Sequence, residues 1–204
     1  PGAGGTTGVG IVAKADPDGY TFLINSSAHT LTPWVYSNLA YDTLRDLSAV
    51  IPIGILPNVL VTNPANGFKT AADLVAAAKA KPGTFNFATA GVGTATHLSA
   101  ERFRLSAGIQ AAHVPFKGGS EAMTEILANR IQFYFAPSGT AIPLIREGRL
   151  QGLVVSTPQR ASGLPAIPTT LEAGFANSDY TFWVGLFAPA KTPKAIIDKL
   201  HQEI

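Results

Sequence analysis

Cysteine is absent from the 204 residues, which excludes disulfides, thiolate metal sites and cysteine nucleophiles and leaves the compartment open. Charge is also scarce: Asp, Glu, Lys and Arg make up 14% of the chain, and the net charge is +2. The basic residues form no run, so the electrostatic footprint of a nucleic-acid binder is missing. There is no long hydrophobic run. The longest apolar stretch, Val50 to Val61, is interrupted by Pro52, Gly54, Pro57 and Asn58 and is too short to span a bilayer. The 4 histidines, at positions 29, 97, 113 and 201, show no metal spacing such as HExxH, so neither a metal nor another cofactor is expected. Walker A and G-x-S-x-G sequences do not occur. The carboxylates Asp42, Asp46, Glu101 and Glu125 fall in solvated contexts and suggest no acid/base pair.

What the chain does have is apolar bulk. Hydrophobic residues make up 46% of it, the composition of a packed globular protein. A chain of this length buries about 70% of its unfolded surface, enough for one large domain or two small ones.

Strand and helix patterns alternate. Strands are expected at Tyr20–Ile24, Val50–Ile55, Val59–Thr62, Phe85–Thr89, Ala112–Phe116, Ile131–Phe135, Leu150–Ser156 and within Tyr180–Ala188. Helices are expected near Pro33–Ser37, over Thr70–Ala80 with a Thr70/Asp73 capping box, from Thr94 to about Leu105, over Ser120–Asn129 and Ile142–Glu147, and from Lys194 to the end. This alternation implies an α/β fold with mainly parallel sheets. Gly8-Val9-Gly10-Ile11-Val12-Ala13 formally fits GxGxxA, but no strand pattern precedes it. Trp34 and Trp183 read as core or hinge packing.

The most informative stretch runs from Phe85 to Leu98. A half-buried strand, Phe85-Asn86-Phe87-Ala88, gives way to the small residues Thr89-Ala90-Gly91-Val92-Gly93, and Thr94 stands as N-cap of the next helix. Gly91 and Gly93 allow unusual dihedrals and close approach. The free N–H groups and dipole of a helix N-terminus make this an anion seat. Three other segments, 25–30, 117–120 and 136–140, are similarly built from small and polar residues. Each alone is an ordinary turn, but four together suggest a shared cleft beyond the carboxyl ends of the strands.

A family resemblance rests on these and further motifs. They are Pro1-Gly2-Ala3-Gly4-Gly5, Ala13-Lys14-Ala15-Asp16-Pro17-Asp18-Gly19-Tyr20-Thr21, Tyr41-Asp42 with Leu44-Arg45-Asp46, and Thr89-Ala90-Gly91-Val92-Gly93-Thr94 with His97-Leu98. His113-Val114-Pro115-Phe116-Lys117-Gly118, Leu164-Pro165-Ala166-Ile167-Pro168-Thr169 with Glu172-Ala173-Gly174, and Gly185-Leu186-Phe187-Ala188-Pro189-Ala190 complete the series. In this order the chain resembles the substrate-binding proteins of tripartite tricarboxylate transporters, the Bug-type periplasmic receptors.

The resemblance implies a two-lobed, type II periplasmic binding protein of the Venus-flytrap kind. Lobe 1 would comprise 1–61 plus 179–204, and lobe 2 would comprise 62–178. Family members begin with a further strand, Gly-rich loop and helix and continue past the equivalent of Ile204. The resemblance therefore implies an internal fragment, with lobe 1 incomplete and lobe 2 whole.

By the same resemblance, Ala90, Gly91, Gly93 and Thr94 would grip a ligand carboxylate through backbone amides and a hydroxyl. Ser26 and Ser27 would meet that ligand from lobe 1, and Ala136 and Ser138 would line the site. Further candidates are His29, as a contact or an orienting hydrogen-bond partner, His97, as a brace for its loop, and Lys117, the only cation in the four loops. His113 reads as structural. Family members that bind amino acids usually carry Asp where this chain has Ala136, which implies a carboxylate without an amino group. The implied protein is a non-catalytic, monomeric periplasmic receptor of a Gram-negative bacterium that delivers a small carboxylic acid to membrane transporter subunits. The rival readings are a ligand-binding partner of a membrane sensor and a small-molecule enzyme on the same scaffold. The enzyme would have only Ser26/Ser27 with His29 as nucleophile and base.

Overall fold

The computed structural model describes residues 3–204, so Pro1 and Gly2 of the first motif lie outside the described residues. In chain order the elements are α1 (Thr6–Ala13), β1 (Leu23–Ser26), α2 (Thr32–Val35), β2 (Leu47–Ile55), β3 (Asn58–Thr62) and α3 (Ala71–Ala80). They continue with β4 (Phe85–Thr89), α4 (Ala95–Ala107), β5 (Ala111–Pro115), α5 (Gly119–Leu127), β6 (Phe133–Pro137) and α6 (Ser138–Arg146). The last three are β7 (Gln151–Val155), β8 (Trp183–Pro189) and α7 (Lys194–Glu203).

The chain divides into two compact units. Unit 1 takes the chain up to Ile55 together with Phe182–Ile204, and unit 2 is Leu56–Thr181. The second boundary lies close to the expected 179, but the first expected boundary, after Val61, is corrected. Residues 58–62 belong to unit 2 because β3 lies inside its sheet, between β6 and β7, with every residue buried.

Unit 1 holds a three-stranded sheet in the order β1-β8-β2, with both pairings antiparallel. Unit 2 holds five strands in the order β5-β4-β6-β3-β7. There β4 runs parallel to β5 and β6, while β3 is antiparallel to both neighbours. The expectation of mainly parallel sheets therefore holds only for the β4–β5–β6 core. Strand β3 follows β2 through Leu56-Pro57 alone, so no crossover helix forces it parallel to a neighbour.

Side-chain alternation builds unit 2 as three layers. Leu60, Phe85, Phe87, Phe133 and Phe135 face α3 and α4, where Leu74, Ala78, Ala100 and Phe103 complete a core. Val59, Val61, Ala88, Tyr134 and Ala136 face the opposite way, against Ala122, Met123 and Ile126 of α5 and Ala141 of α6. Period-2 alternation in the strands is what places these sets on opposite faces.

Other local expectations change. β1 starts three residues later than expected, and the supposed polar loop after it is a 3-10 turn, Ser27–Leu31. The glycines of the GxGxxA match lie inside α1. Trp34 is 87% exposed, so it packs in no core. Trp183 lies in β8 and tilts against Phe187 at 6.5 Å.

Helix α3 starts where its sequence predicts. The Thr70 hydroxyl accepts the Asp73 N–H at 3.2 Å, and the Asp73 carboxylate accepts the Thr70 N–H at 2.8 Å. Replacing Thr70 with Ala removes this box and is expected to cost about 1 kcal/mol. Thermal unfolding followed by circular dichroism should register this as a fall of roughly 2–4 °C in Tm. An unchanged Tm would show that the box contributes nothing.

Candidate functional site

In unit 2 the loops after β4 and β6 leave for opposite sides of the sheet, because the strand order is β5-β4-β6. The carboxyl ends of β4 and β6 therefore form a topological switch point, where open α/β sheets place ligands. The small-residue loop 90–94 and the start of α6 meet this edge. The first residue of β3 lies here too, since Asn58 pairs with Pro137.

The loop is closed on itself. The Ala90 N–H donates to the Thr96 hydroxyl at 2.9 Å, and the Gly91 N–H to the Thr89 hydroxyl at 3.2 Å. The Gly93 N–H donates to His97 Nδ1 at 3.2 Å, and the Thr94 N–H to the Gly91 carbonyl at 3.4 Å. Gly91 and Gly93 hold φ values of 123° and 74°, a region open to them because they lack Cβ.

Thr94 stands at the N-cap position with extended backbone angles, as expected, but its hydroxyl makes no cap bond. It donates instead to the Gly91 carbonyl at 2.7 Å and lies 3.0 Å from the Thr96 hydroxyl. Donors expected to face a ligand are thus spent on shaping the loop. The amides without an intrahelical acceptor are those of Ala95, Thr96 and His97, in the first turn of α4.

Beneath the loop the rings are stacked. His97 lies on His113 with centroids 4.3 Å apart, and His113 lies on Phe87 at 5.0 Å. His113 Nε2 sits 2.6 Å from the Thr89 hydroxyl. Burial pushes the His113 ring down to about 4, helped by the facing His97. Burial also lowers His97, with Glu101 pulling the other way. Both rings are therefore neutral at pH 7.

The other sequence candidates fall as follows. Ser138 opens α6 and is buried, its N–H bonded to the Pro57 carbonyl at 2.8 Å. Ala136 is corrected from loop to strand. It is fully buried in the core against α5 and α6, so its methyl offers no open surface in unit 2. Lys117 is exposed, and its N–H bonds Glu121 at 3.2 Å. Helix α5 begins at Gly119, one residue earlier than expected, after an extended Gly118 and with no side-chain cap.

Ser26, Ser27 and His29 belong to unit 1. Ser26 ends β1, and its N–H donates to Asn25 Oδ1 at 2.8 Å. Ser27 is buried and opens the 3-10 turn. His29 is buried, with centroids 5.4 Å from Phe187 and 6.3 Å from Tyr41, and neither ring nitrogen makes a hydrogen bond. The expected orienting bond is thus absent among the described residues, where the ring packs against Phe187 and Tyr41.

Sequence reasoning missed a polar set behind the site. Asn58 Nδ2 donates to the Ser99 hydroxyl at 3.0 Å, tying β3 to α4. The Asn58 N–H donates to the Ser156 hydroxyl at 3.2 Å, and that hydroxyl donates to the Tyr180 carbonyl at 3.0 Å. Asn58, Ser99 and Ser156 are all fully buried. Single polar residues at such positions carry no spacing signal.

Comparisons with known proteins agree with this fold. The profile of the tripartite tricarboxylate transporter family receptors matches residues 1–204. A UPF0065 protein of a Pseudomonas species is 34% identical over 204 residues, covering 100% of this chain and 61% of that protein. Rpa4515 of R. palustris, solved with adipate, superposes with a TM-score of 0.92 at 30% identity, covering 96% of this chain and 66% of that one. MatC from Rhodopseudomonas palustris, solved with bound malate, gives a TM-score of 0.90 at 28% identity, covering 98% of this chain and 68% of that one. The chain thus spans about three fifths of the length of the curated relative it matches.

Replacing Thr96 with Val keeps the shape of the side chain and leaves the Ala90 N–H without its acceptor. The expected loss is about 1–3 kcal/mol in urea unfolding. Hydrogen exchange at the Ala90 amide should speed up, and an unaltered exchange rate would show that the bond does not hold the loop.

Proposed function

Because the chain belongs to the tripartite tricarboxylate transporter receptor family and has the α/β periplasmic binding protein fold, we propose that it serves a periplasmic receptor for a small carboxylate lacking an amino group. The receptor delivers its ligand to the membrane subunits of a tripartite transporter. The observation that carries the reading is the closed loop 90–94 set on the N-terminus of α4 at the switch point of unit 2. A helix N-terminus contributes roughly 0.3–2 kcal/mol to an anion, and each charge-assisted hydrogen bond roughly 1.5–3 kcal/mol. Three or four such contacts reach the ~8 kcal/mol of a micromolar receptor without an Arg clamp.

In unit 2 the first turn of α4 and Ser138 supply the donors, with Ala90, Gly91, Gly93 and Thr94 shaping the seat. Segments 89–97, 116–120 and 136–140 contain no carboxylate, so a ligand ammonium would find no counter-ion there. The adipate and malate found in the two related structures also lack an amine. Among the described residues no helix is long and apolar enough to cross a membrane.

Thermal shift and calorimetry on the full-length protein test the proposal. Adipate, malate or succinate should stabilise it saturably, by about 2.7 kcal/mol at a hundredfold excess over Kd. NMR of the mixture should show no product. Turnover of any acid would sink the receptor reading, and aspartate or glutamate binding as well as succinate would sink the amine argument.

A further inference from the structure

The ring stack under the loop lies where a single proton changes the loop's hydrogen bonds. His97 accepts the Gly93 N–H at Nδ1, so the neutral ring carries its proton on Nε2. Thr89 accepts the Gly91 N–H, and with the neutral His113 carrying its proton on Nδ1 the Thr89 hydroxyl donates to His113 Nε2. Two glycine amides on the loop are thus held, one directly and one through a hydroxyl, by two neutral imidazoles in face-to-face contact.

We propose that the His97–His113 stack is a proton-sensitive brace that holds the 90–94 loop in its ligand-binding shape and releases it on acidification. This rests on the receptor reading for the ligand, though not for the brace itself. A proton on His97 Nδ1 removes the acceptor of the Gly93 N–H. A proton on His113 Nε2 reverses the bond to Thr89, whose O–H then has to turn away from His113 toward another acceptor in a wholly buried site. Either event also sets a positive charge against a neighbouring ring.

The surroundings fix the direction. From β4 the stack meets Phe87 and Thr89, neither of which titrates in this range. From α4 the charged groups acting on it are Glu101 and Arg104, which are paired with each other at 2.7 Å. In the unfolded chain both histidines return toward the ordinary 6.5, whereas the folded His113 lies at about 4 and His97 is lowered. The neutral brace is therefore fully stabilising above about pH 6.5, and its contribution is lost as the pH falls toward 4.

The experiment uses the full-length protein, isotope-labelled, between pH 7.5 and 3. Without ligand, the amide signals of Gly91 and Gly93 should move with the same midpoints as the His97 and His113 rings. With adipate as probe, affinity should fall at least threefold further from pH 7 to pH 4 in the wild type than in H97N/H113Q, whose side chains stay neutral throughout. Comparing the two with one probe cancels the titration of adipate. The single variants His97→Asn and His113→Gln serve if the double variant does not fold. Silent glycine amides while the rings titrate would overturn the proposal. So would an equal pH slope in variant and wild type, or wild-type binding that tightens in acid relative to the variant, because an imidazolium would then be acting as a counter-ion. If adipate does not bind at pH 7.5, its assignment as a ligand fails, and the glycine amides still decide the brace.

Discussion

The carboxyl edge of unit 2 depends on one buried hydroxyl, that of Thr89. It closes β4, accepts the N–H of Gly91 and meets His113 Nε2 at 2.6 Å, so it joins a strand, its neighbour and the loop at one oxygen. Thr89 is fully buried, so these groups have no water to fall back on, and an unpaired member would cost about 1–3 kcal/mol. Parallel pairing of β4 with β5 sets Phe87 level with His113, which is why an aromatic ring and an imidazole can stack beneath that oxygen. The loop above then needs no bulky side chain to hold its shape.

A second buried hydroxyl plays the same part on the far side of the sheet. The chain enters unit 2 at Leu56 and leaves it at Thr181. Close to each point, Asn58 and Tyr180 are bonded to Ser156, which also donates its N–H to the Asn58 carbonyl at 2.8 Å. Both ends of the unit are thereby fixed to β7. Asn58 carries the tie onward to Ser99 on α4, so the helix whose N-terminus faces the switch point is held from behind.

Legibility in the sequence followed the range of the interaction. Helix α3 and strand β4 were readable because a capping box and a two-residue alternation are local. β1 was misplaced because its register is set by β8, with Leu23 opposite Phe187 and Ser26 opposite Val184, far along the chain. β6 was cut short because Ala136-Pro137-Ser138 looks like a loop. Pro137 ends the strand without penalty, since the next N–H, of Ser138, bonds the Pro57 carbonyl. At the site, the small residues and helix start were legible as an anion seat. His97 was read as a brace for its loop, and its Nδ1 does accept the Gly93 N–H; that Thr89 and Thr96 would take the other amides was not legible, because both look like ordinary strand and helix residues in sequence.

That internal use changes how the site would gain affinity. A flexible glycine-rich loop would order itself around a carboxylate and lose conformational entropy in doing so, a cost that subtracts directly from binding. Here the ordering is done in advance by hydroxyls and neutral imidazoles, at the expense of donors that would otherwise reach the ligand. What remains is the dipole and first turn of α4, which favour negative charge and offer nothing to an ammonium. The absence of Arg from these loops fits that design: under the proposed receptor reading a pre-shaped, weakly polar seat would select a carboxylate by fixed dipoles, while Lys117, the only cation in these loops among the described residues, is exposed. The loop's rigidity comes from a few hydrogen bonds, and under the proposed reading its selectivity would rest on the same ones, which is why the rings beneath them are the point at which a proton would act.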